Sequence, residues 1–243
     1  MRKLLIIGAK SDIAKECAKI FAKNGFDLIL ANRNINELDD FKKDINVRYQ
    51  REVQLVEFDI TDFNSHNNFY NKLEKKPDGV IVASGSMYEQ KECQKEWIKT
   101  LETINVNYVG AVSILNIIAN DFEDKKYGFI IGISSVAGDR GRASNYIYGS
   151  SKAAFSSYLS GLRNRLCKND IEVLTVKPGF VYTKMTQGLK LPEKLTANPN
   201  EVANNIYNAY KNKKNILYTK SIWFIIMTII KLIPEFIFKK LKI

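Results

Sequence analysis

Residues 3–14, KLLIIGAKSDIA, place a short apolar run, a glycine and the opening of an amphipathic stretch in succession. A run of this length ending at Gly8 reads as a buried strand that turns directly into a helix. It is too short for a secretory signal, because Gly8, Lys10 and Asp12 break it at once. The rhythm then repeats through DLILA (27–31), VQLVEF (53–58), GVIVA (79–83), GFIIGI (128–133), IEVLTV (171–176) and NILYT (215–219). Segments mostly long enough to be helices separate these runs. Gly25 and Gly128 mark helix ends, Pro199 or Asn200 a helix start, and Asp59–Asp62 a strand turning into a helix. The alternation predicts a parallel sheet covered on both faces, a doubly wound α/β fold.

The 243 residues suffice for one large domain, expected over 1–220, followed by a compositionally distinct tail over 221–243. Against 26 Asp and Glu stand 37 Lys and Arg, a net charge of +11 that suits nucleic acid, an anionic membrane surface or an anionic substrate. Residues 220–243 hold Lys220, Lys231, Lys239, Lys240 and Lys242 against Glu235 alone. That clustering favours a surface or membrane role. No aromatic platform or recognition helix accompanies the charge, so no nucleic acid partner is expected. Cys17, Cys93 and Cys167 lie far apart without metal or disulfide spacing, which fits a reducing cytoplasm. His66 is the single histidine, so Ser-His-Asp triads and histidine metal sites drop out. No metal is expected.

Gly8, Lys10, Ser11, Asp12 and Ile13 follow the first strand and open the first helix, where a dinucleotide pyrophosphate meets free backbone N–H groups in a Rossmann-type sheet. Only Gly8 keeps a glycine of a G-x-x-x-G-x-G pattern; Asp12 and Ala14 take the other two places. The carboxylate of Asp12 must point away from phosphates or cap the helix. A plain strand-turn-helix accounts for the loop equally well. At the second strand's end Asn32 offers no carboxylate to ribose hydroxyls, while Arg33 offers a cation to a 2'-phosphate. That leans to NADPH over NADH, against the alternative of an exposed arginine on a turn.

Without histidine, a tyrosine beside a lysine is the available proton donor, and Tyr-x-x-x-Lys places both on one helix face. Three pairs satisfy the spacing: Tyr148 with Lys152, Tyr207 with Lys211, and Tyr210 with Lys214. Only Tyr148 has a hydroxyl thirteen residues upstream, Ser135, at the end of a strand. The other two pairs read as the solvated face of an Asn- and Lys-rich helix.

The blocks GISSVAG, YGSSK and VLTVKPGFVYTKM, with INVNYVGA before them, resemble the short-chain dehydrogenase/reductase family over residues 1 to about 220. The resemblance implies an NAD(P)-dependent oxidoreductase in which Ser135 binds the carbonyl oxygen and Tyr148 is the acid or base. Lys152 would hold the nicotinamide ribose and lower the tyrosine pKa, and Asn107 would anchor a water relay. It also implies cofactor contacts at Asp59 and Ile60 near adenine, at Ala83 and Gly85, and at Pro178, Gly179, Val181 and Thr183 near nicotinamide. The usual Asn-Asn-Ala-Gly block is reduced to Ala83-Ser84-Gly85, and the glycine loop is altered. Both departures set the chain apart from typical metabolite reductases.

Asp12 in its loop, the stretch SSVAGDRGRASNYIYGSSKA and the terminal KLIPEFIFKKL are similar to a subgroup that reduces polyprenyl-phosphoryl 2-ketofuranoses. That likeness implies a lipid-linked sugar substrate and a partner oxidase that forms the ketone. Arg140 and Arg142, between Ser135 and Tyr148, could fork onto its phosphodiester; a solvated loop or subunit contact is the alternative. The apolar run from Ile222 to Ile233 spans about 18 Å as a helix, short of a hydrocarbon core of ~30 Å. It is expected to lie in the interface, at the inner face of the cytoplasmic membrane, or else to dock on the protein's own core or on a second copy in a homo-oligomer. Two further functions fit the sequence: a reductase of another apolar ketone (sterol, long-chain acyl or quinone-like), and a regulator that only binds dinucleotide. The complete Ser-Tyr-Lys-Asn set argues against the latter.

Overall fold

The computed structural model describes residues 2–241, so Met1, Lys242 and Ile243 lie outside the described residues. The chain runs β1 (Arg2–Ile7), α1 (Asp12–Lys23), β2 (Phe26–Asn32), α2 (Asp39–Tyr49), β3 (Val53–Glu57), α3 (His66–Asn71) and β4 (Gly79–Val82). It continues through α4 (Gln90–Lys95), α5 (Trp97–Ile104), α6 (Gly110–Lys125), β5 (Phe129–Ile133), α7 (Tyr146–Leu166) and β6 (Glu172–Pro178). The last elements are β7 (Phe180–Val181), β8 (Thr196–Ala197), α8 (Pro199–Lys211), β9 (Ile216–Thr219), α9 (Ile222–Leu232) and α10 (Glu235–Phe238). All seven apolar runs become strands of one parallel sheet ordered β3-β2-β1-β4-β5-β6-β9. Ile6 of β1 lies between Leu30 and Ile81 in register. This is the expected Rossmann-type architecture.

Alternate residues of each strand enter opposite layers, which is why the runs are apolar throughout. Leu4, Ile6, Leu28, Leu30 and Leu174 face one layer with Phe21 of α1 and Ile206 of α8. Leu5, Ile7, Ile29, Val80 and Val173 face the other with Ile114 of α6 and Leu159 of α7. The segment Trp97–Lys125 has the length and apolar composition to cross a bilayer. Here it is a core element, with Ile114, Leu115, Ile118 and Phe122 fully buried.

The solvated reading of Tyr207 and Tyr210 is corrected. Both are half-buried: the Tyr210 ring lies 4.3 Å from that of Phe129 and the Tyr207 ring 5.1 Å from that of Phe21. Their spacing puts them on the α8 face that meets α1, so aromatic packing explains them.

The tail docks on its own domain. Trp223 and Met227, one turn apart on α9, are buried against Val136, Phe180, Leu195 and Tyr218, and the Trp223 Nε1–H donates to the Leu195 oxygen at 3.0 Å. The indole lies where a Cβ on Gly179 would be, so only glycine lets α9 approach the end of β6. Trp223→Ala should therefore lower unfolding stability by roughly 3 kcal/mol in urea titration, whereas Ile225→Ala on the exposed side of α9 should change it by less than about 0.5 kcal/mol.

Candidate active site

The site begins where β5 leaves the sheet. Ser134 donates its hydroxyl hydrogen bond to the Lys152 main-chain oxygen at 2.9 Å and lies 2.7 Å from the Ser156 hydroxyl, which ties the strand end to α7. Next to it, Ser135 caps a single helical turn over Val136–Gly138 by accepting from the Ala137 N–H at 3.1 Å. The Ser135 hydroxyl lies close enough to the Tyr148 phenol to lower its pKa. Tyr148 and Lys152 stand one turn apart on α7, with the ammonium 5.8 Å from the tyrosine ring centre and donating to the Ile133 oxygen at 3.1 Å. The three groups separated by as many as seventeen residues thus converge.

Asn107 lies in a π-helical turn, Asn105–Val109, that joins α5 to α6. Such turns interrupt helices mostly at functional sites. Its amide accepts from the Ser86 N–H at 2.8 Å and donates to the Ser86 oxygen at 2.8 Å and to Ser151 at 3.0 Å. A Cβ on Gly85 would lie 3.5 Å from the Asn107 Oδ1 and 3.7 Å from the Lys152 Nζ, so the loop after β4 borders the same site. Asn107 holds that loop against α7.

Burial dominates the electrostatics. It raises the Tyr148 pKa, partly offset by the Ser135 hydroxyl, which corrects the expected lowering by Lys152: desolvation of the buried phenol outweighs the neighbouring cation and keeps it protonated, as a proton donor requires. Burial also pulls Lys152 down from 10.5 to about 8, so its charge is held against a desolvation cost. An anionic or hydroxyl-bearing ligand beside the ammonium would relieve that cost.

The residues expected to contact the cofactor line the same edge of the sheet. Gly8, at φ +81°, brings the first loop against the β4 end, and a Cβ there would lie 2.5 Å from the Ser84 nitrogen. Ser11 caps α1 by accepting from the Ala14 N–H at 3.2 Å, which presents the N–H groups of Asp12 and Ile13 at the helix start. Asp12 points away from that place: its carboxylate accepts from the Lys184 N–H at 2.8 Å, tying the loop after β7 to α1. A cavity of about 750 Å³ beside β2 and β3 is lined by Lys10, Asn32, Arg33, Asn34, Phe58 and Asp59. Its size and paired cations fit an adenosine phosphate end. Lys10 reaches Glu37 at 2.7 Å and Arg33 reaches Asp59 at 4.0 Å; both are exposed pairs that an incoming phosphate can displace. Ile60 is buried next to Asp59, and Ala83 continues β4 into Ser84. Pro178 ends β6, Gly179 lies under Trp223, Val181 is buried in β7, and Thr183 caps the following turn with Thr186. The residues present fit a dinucleotide.

Arg140 requires a correction. Its guanidinium donates to the main-chain oxygens of Ile230 and Ile233, the latter at 2.6 Å, meets Glu235 at 2.8 Å and stacks 3.7 Å from the Phe238 ring centre. The C-terminal carbonyls of α9 attract this cation, so its fork is taken up by the tail and not left for a phosphodiester. Arg142 is different: it is half-buried, and its Nε has no partner among the described residues. Several supporting groups escaped the sequence reading. Glu57 accepts from the Asn34 and Ile35 N–H groups and shapes the turn after β2. Asp139 pairs with Lys177 and accepts from the Tyr218 hydroxyl at 2.7 Å, securing the loop before Arg140. Nothing in local spacing links these partners. His66 is fully buried between Ser113 and the Asp59 oxygen, a structural role.

Replacing the buried ammonium should show its cost. Native Lys152 binds its proton more weakly than the unfolded chain, so the destabilisation is fully present below pH 8 and fades as pH rises to 10.5. Lys152→Met should raise stability at pH 7 by something on the order of 3 kcal/mol, with the advantage shrinking across that window in urea titrations at stepped pH.

Known proteins share this fold and part of this sequence. A family model described as short chain dehydrogenase matches residues 2–194. An uncharacterized oxidoreductase of Mycobacterium tuberculosis is 30% identical over 241 residues, covering 98% of this chain and 96% of the relative. Among solved structures, a short-chain dehydrogenase from Sphingobium yanoikuyae in complex with NADPH aligns at TM-score 0.80 and 22% identity, over 91% of this chain and 88% of that one. A 7beta-hydroxysteroid dehydrogenase aligns at TM-score 0.84 and 18% identity, over 96% and 92%. A serine at the end of β5, a tyrosine and lysine one turn apart on α7 and an asparagine in the π-turn thus sit in a chain that belongs to the short-chain dehydrogenase/reductase family, as an NAD(P)-dependent oxidoreductase acting on CH–OH groups.

Proposed function

We propose that the protein uses NADPH to reduce the 2-keto group of a polyprenyl-phosphoryl ketofuranose, the step carried out by decaprenylphosphoryl-2-keto-ribose reductase on the way to an arabinofuranose donor for envelope or surface polysaccharide. One observation carries this reading. The apolar, lysine-rich tail rests on Gly179 and on Arg140 of the Ser135–Tyr148 loop, so a lipophilic surface borders the catalytic set. The Asp12 loop, SSVAGDRGRASNYIYGSSKA and KLIPEFIFKKL support it by their likeness to that reductase. A separate oxidase would form the ketone.

A nicotinamide held beside Lys152 and residues 178–183 would supply the hydride that reduces the ketone carbon. Ser135 holds the carbonyl oxygen, and Tyr148 gives its phenolic proton to that oxygen as the alcohol forms. Lys152 stabilises the resulting phenolate and holds the ribose, while Asn107 keeps the Ser86 loop and α7 in register. Arg142 is the arginine left to meet the phosphodiester. NADPH is favoured because Lys10 and Arg33 line the adenosine cavity and Asn32 supplies no carboxylate. The same apolar border suits a second reading, reduction of another lipophilic ketone such as a sterol or long-chain acyl compound.

Membranes from cells lacking the protein should accumulate a polyprenyl-phosphoryl ketopentose, which added wild-type protein and NADPH clear and Tyr148→Phe does not. The phenol's loss should lower kcat about 10²- to 10⁴-fold with NADPH binding retained. If no ketopentose accumulates, the second reading replaces the first. Separately, Arg33→Ala should raise KM for NADPH about tenfold and leave KM for NADH unchanged in steady-state assays.

A further inference from the structure

We infer that the outer face of α9 and α10 is a foot that seats the protein on an anionic lipid bilayer, with the catalytic cleft opening beside it. The inner face of α9 is already used by Trp223 and Met227, so docking on the core and contact with a surface are not alternatives. Ile225, Ile229 and Leu232 follow one another at helical spacing on the other side and are 54%, 59% and 77% exposed. Phe224 beside them and Phe236 on α10 extend the apolar strip. A monomer in water has no use for so continuous a patch.

Charge identifies the occupant. Lys231, Lys239 and Lys240 are exposed and none pairs with a carboxylate among the described residues. The acid of the tail, Glu235, is neutralised by Arg140 at 2.8 Å. The strip is therefore apolar with an uncompensated cationic rim, the pattern of a helix lying in the headgroup layer. A second copy meeting this face about a two-fold axis would bring the same lysines together and repel itself. α9 has 11 residues, about 16 Å of helix against ~30 Å of hydrocarbon, so it lies in the surface and does not cross it.

The fold gives the foot its place. α9 leaves the carboxyl end of β9, the edge at which Ser135, Gly179 and the first loop also lie. Trp223 stands on Gly179, and Arg140 clamps the α9 carboxyl end from the loop that leads to Tyr148. A ketone carried by a lipid would thus reach the cleft without leaving the bilayer. The contact deepens the lipid-linked substrate reading but is tested apart from it.

The full chain should co-sediment with vesicles of 70% phosphatidylcholine and 30% phosphatidylglycerol and stay in solution with pure phosphatidylcholine. Lys231→Gln/Lys239→Gln/Lys240→Gln should weaken that partition roughly a hundredfold, about fivefold per lysine. Ile225→Gln/Ile229→Gln/Leu232→Gln should abolish it while keeping the wild-type melting temperature and NADPH affinity. Wild-type binding that neither triple variant changes would overturn the proposal. So would a protein that ignores vesicles and sediments as a dimer, which the apolar variant converts to monomer, because a second copy then covers the face. Vesicle binding without reduction of any polyprenyl-linked ketone would leave the foot standing and remove only the substrate reading.

Discussion

The hydrogen bond from the Ser134 hydroxyl to the Lys152 carbonyl fixes the end of β5 against the middle of α7. The rest of the site depends on that junction. Ser135 is placed by the strand, Tyr148 and Lys152 by the helix, and only a fixed strand–helix register lets a hydroxyl, a phenol and an ammonium meet. Asn107 then adds the β4 loop to the same helix through Ser151. Each contact is an ordinary hydrogen bond, but together they hold three elements in one geometry, which is what positioning of a reacting carbonyl demands.

The same junction sets the electrostatic character of the site. A lysine buried at 4% exposure is costly, and the protein keeps it one helical turn from the buried Tyr148 phenol. Farther along the loop, Asp139 and Arg140 work in opposite directions. The acid binds inward to Lys177 and Tyr218, while the base binds outward to the tail. Two adjacent residues thereby connect the catalytic loop to β6 on one side and to α9 on the other, making the tail an extension of the active-site wall.

Asp12 shows how a motif can change without loss of the place it serves. A glycine normally leaves room for phosphates, yet this carboxylate turns to the Lys184 N–H and secures the loop that follows β7. The helix start stays open because Ser11, not Asp12, provides the cap. The change exchanges conformational freedom for a tether between the first and last parts of the cofactor site.

Much of this was legible in the chain itself. Seven apolar runs specified a parallel sheet, because strands buried on both faces need apolar residues at every position. Tyr148, Lys152 and Ser135 were legible too, since one helical turn and one strand end are local distances. Local spacing could not tell Tyr207 and Tyr210 from surface residues, for their partners Phe21 and Phe129 come from distant elements. Nor could it show that Arg140 serves the tail, which lies ninety residues onward. Composition alone marked the tail as apolar and basic. Only the tertiary structure divided it into a face that Trp223 buries on Gly179 and a face left exposed, because burial is decided by what the chain brings alongside each side chain and not by the side chain's own character.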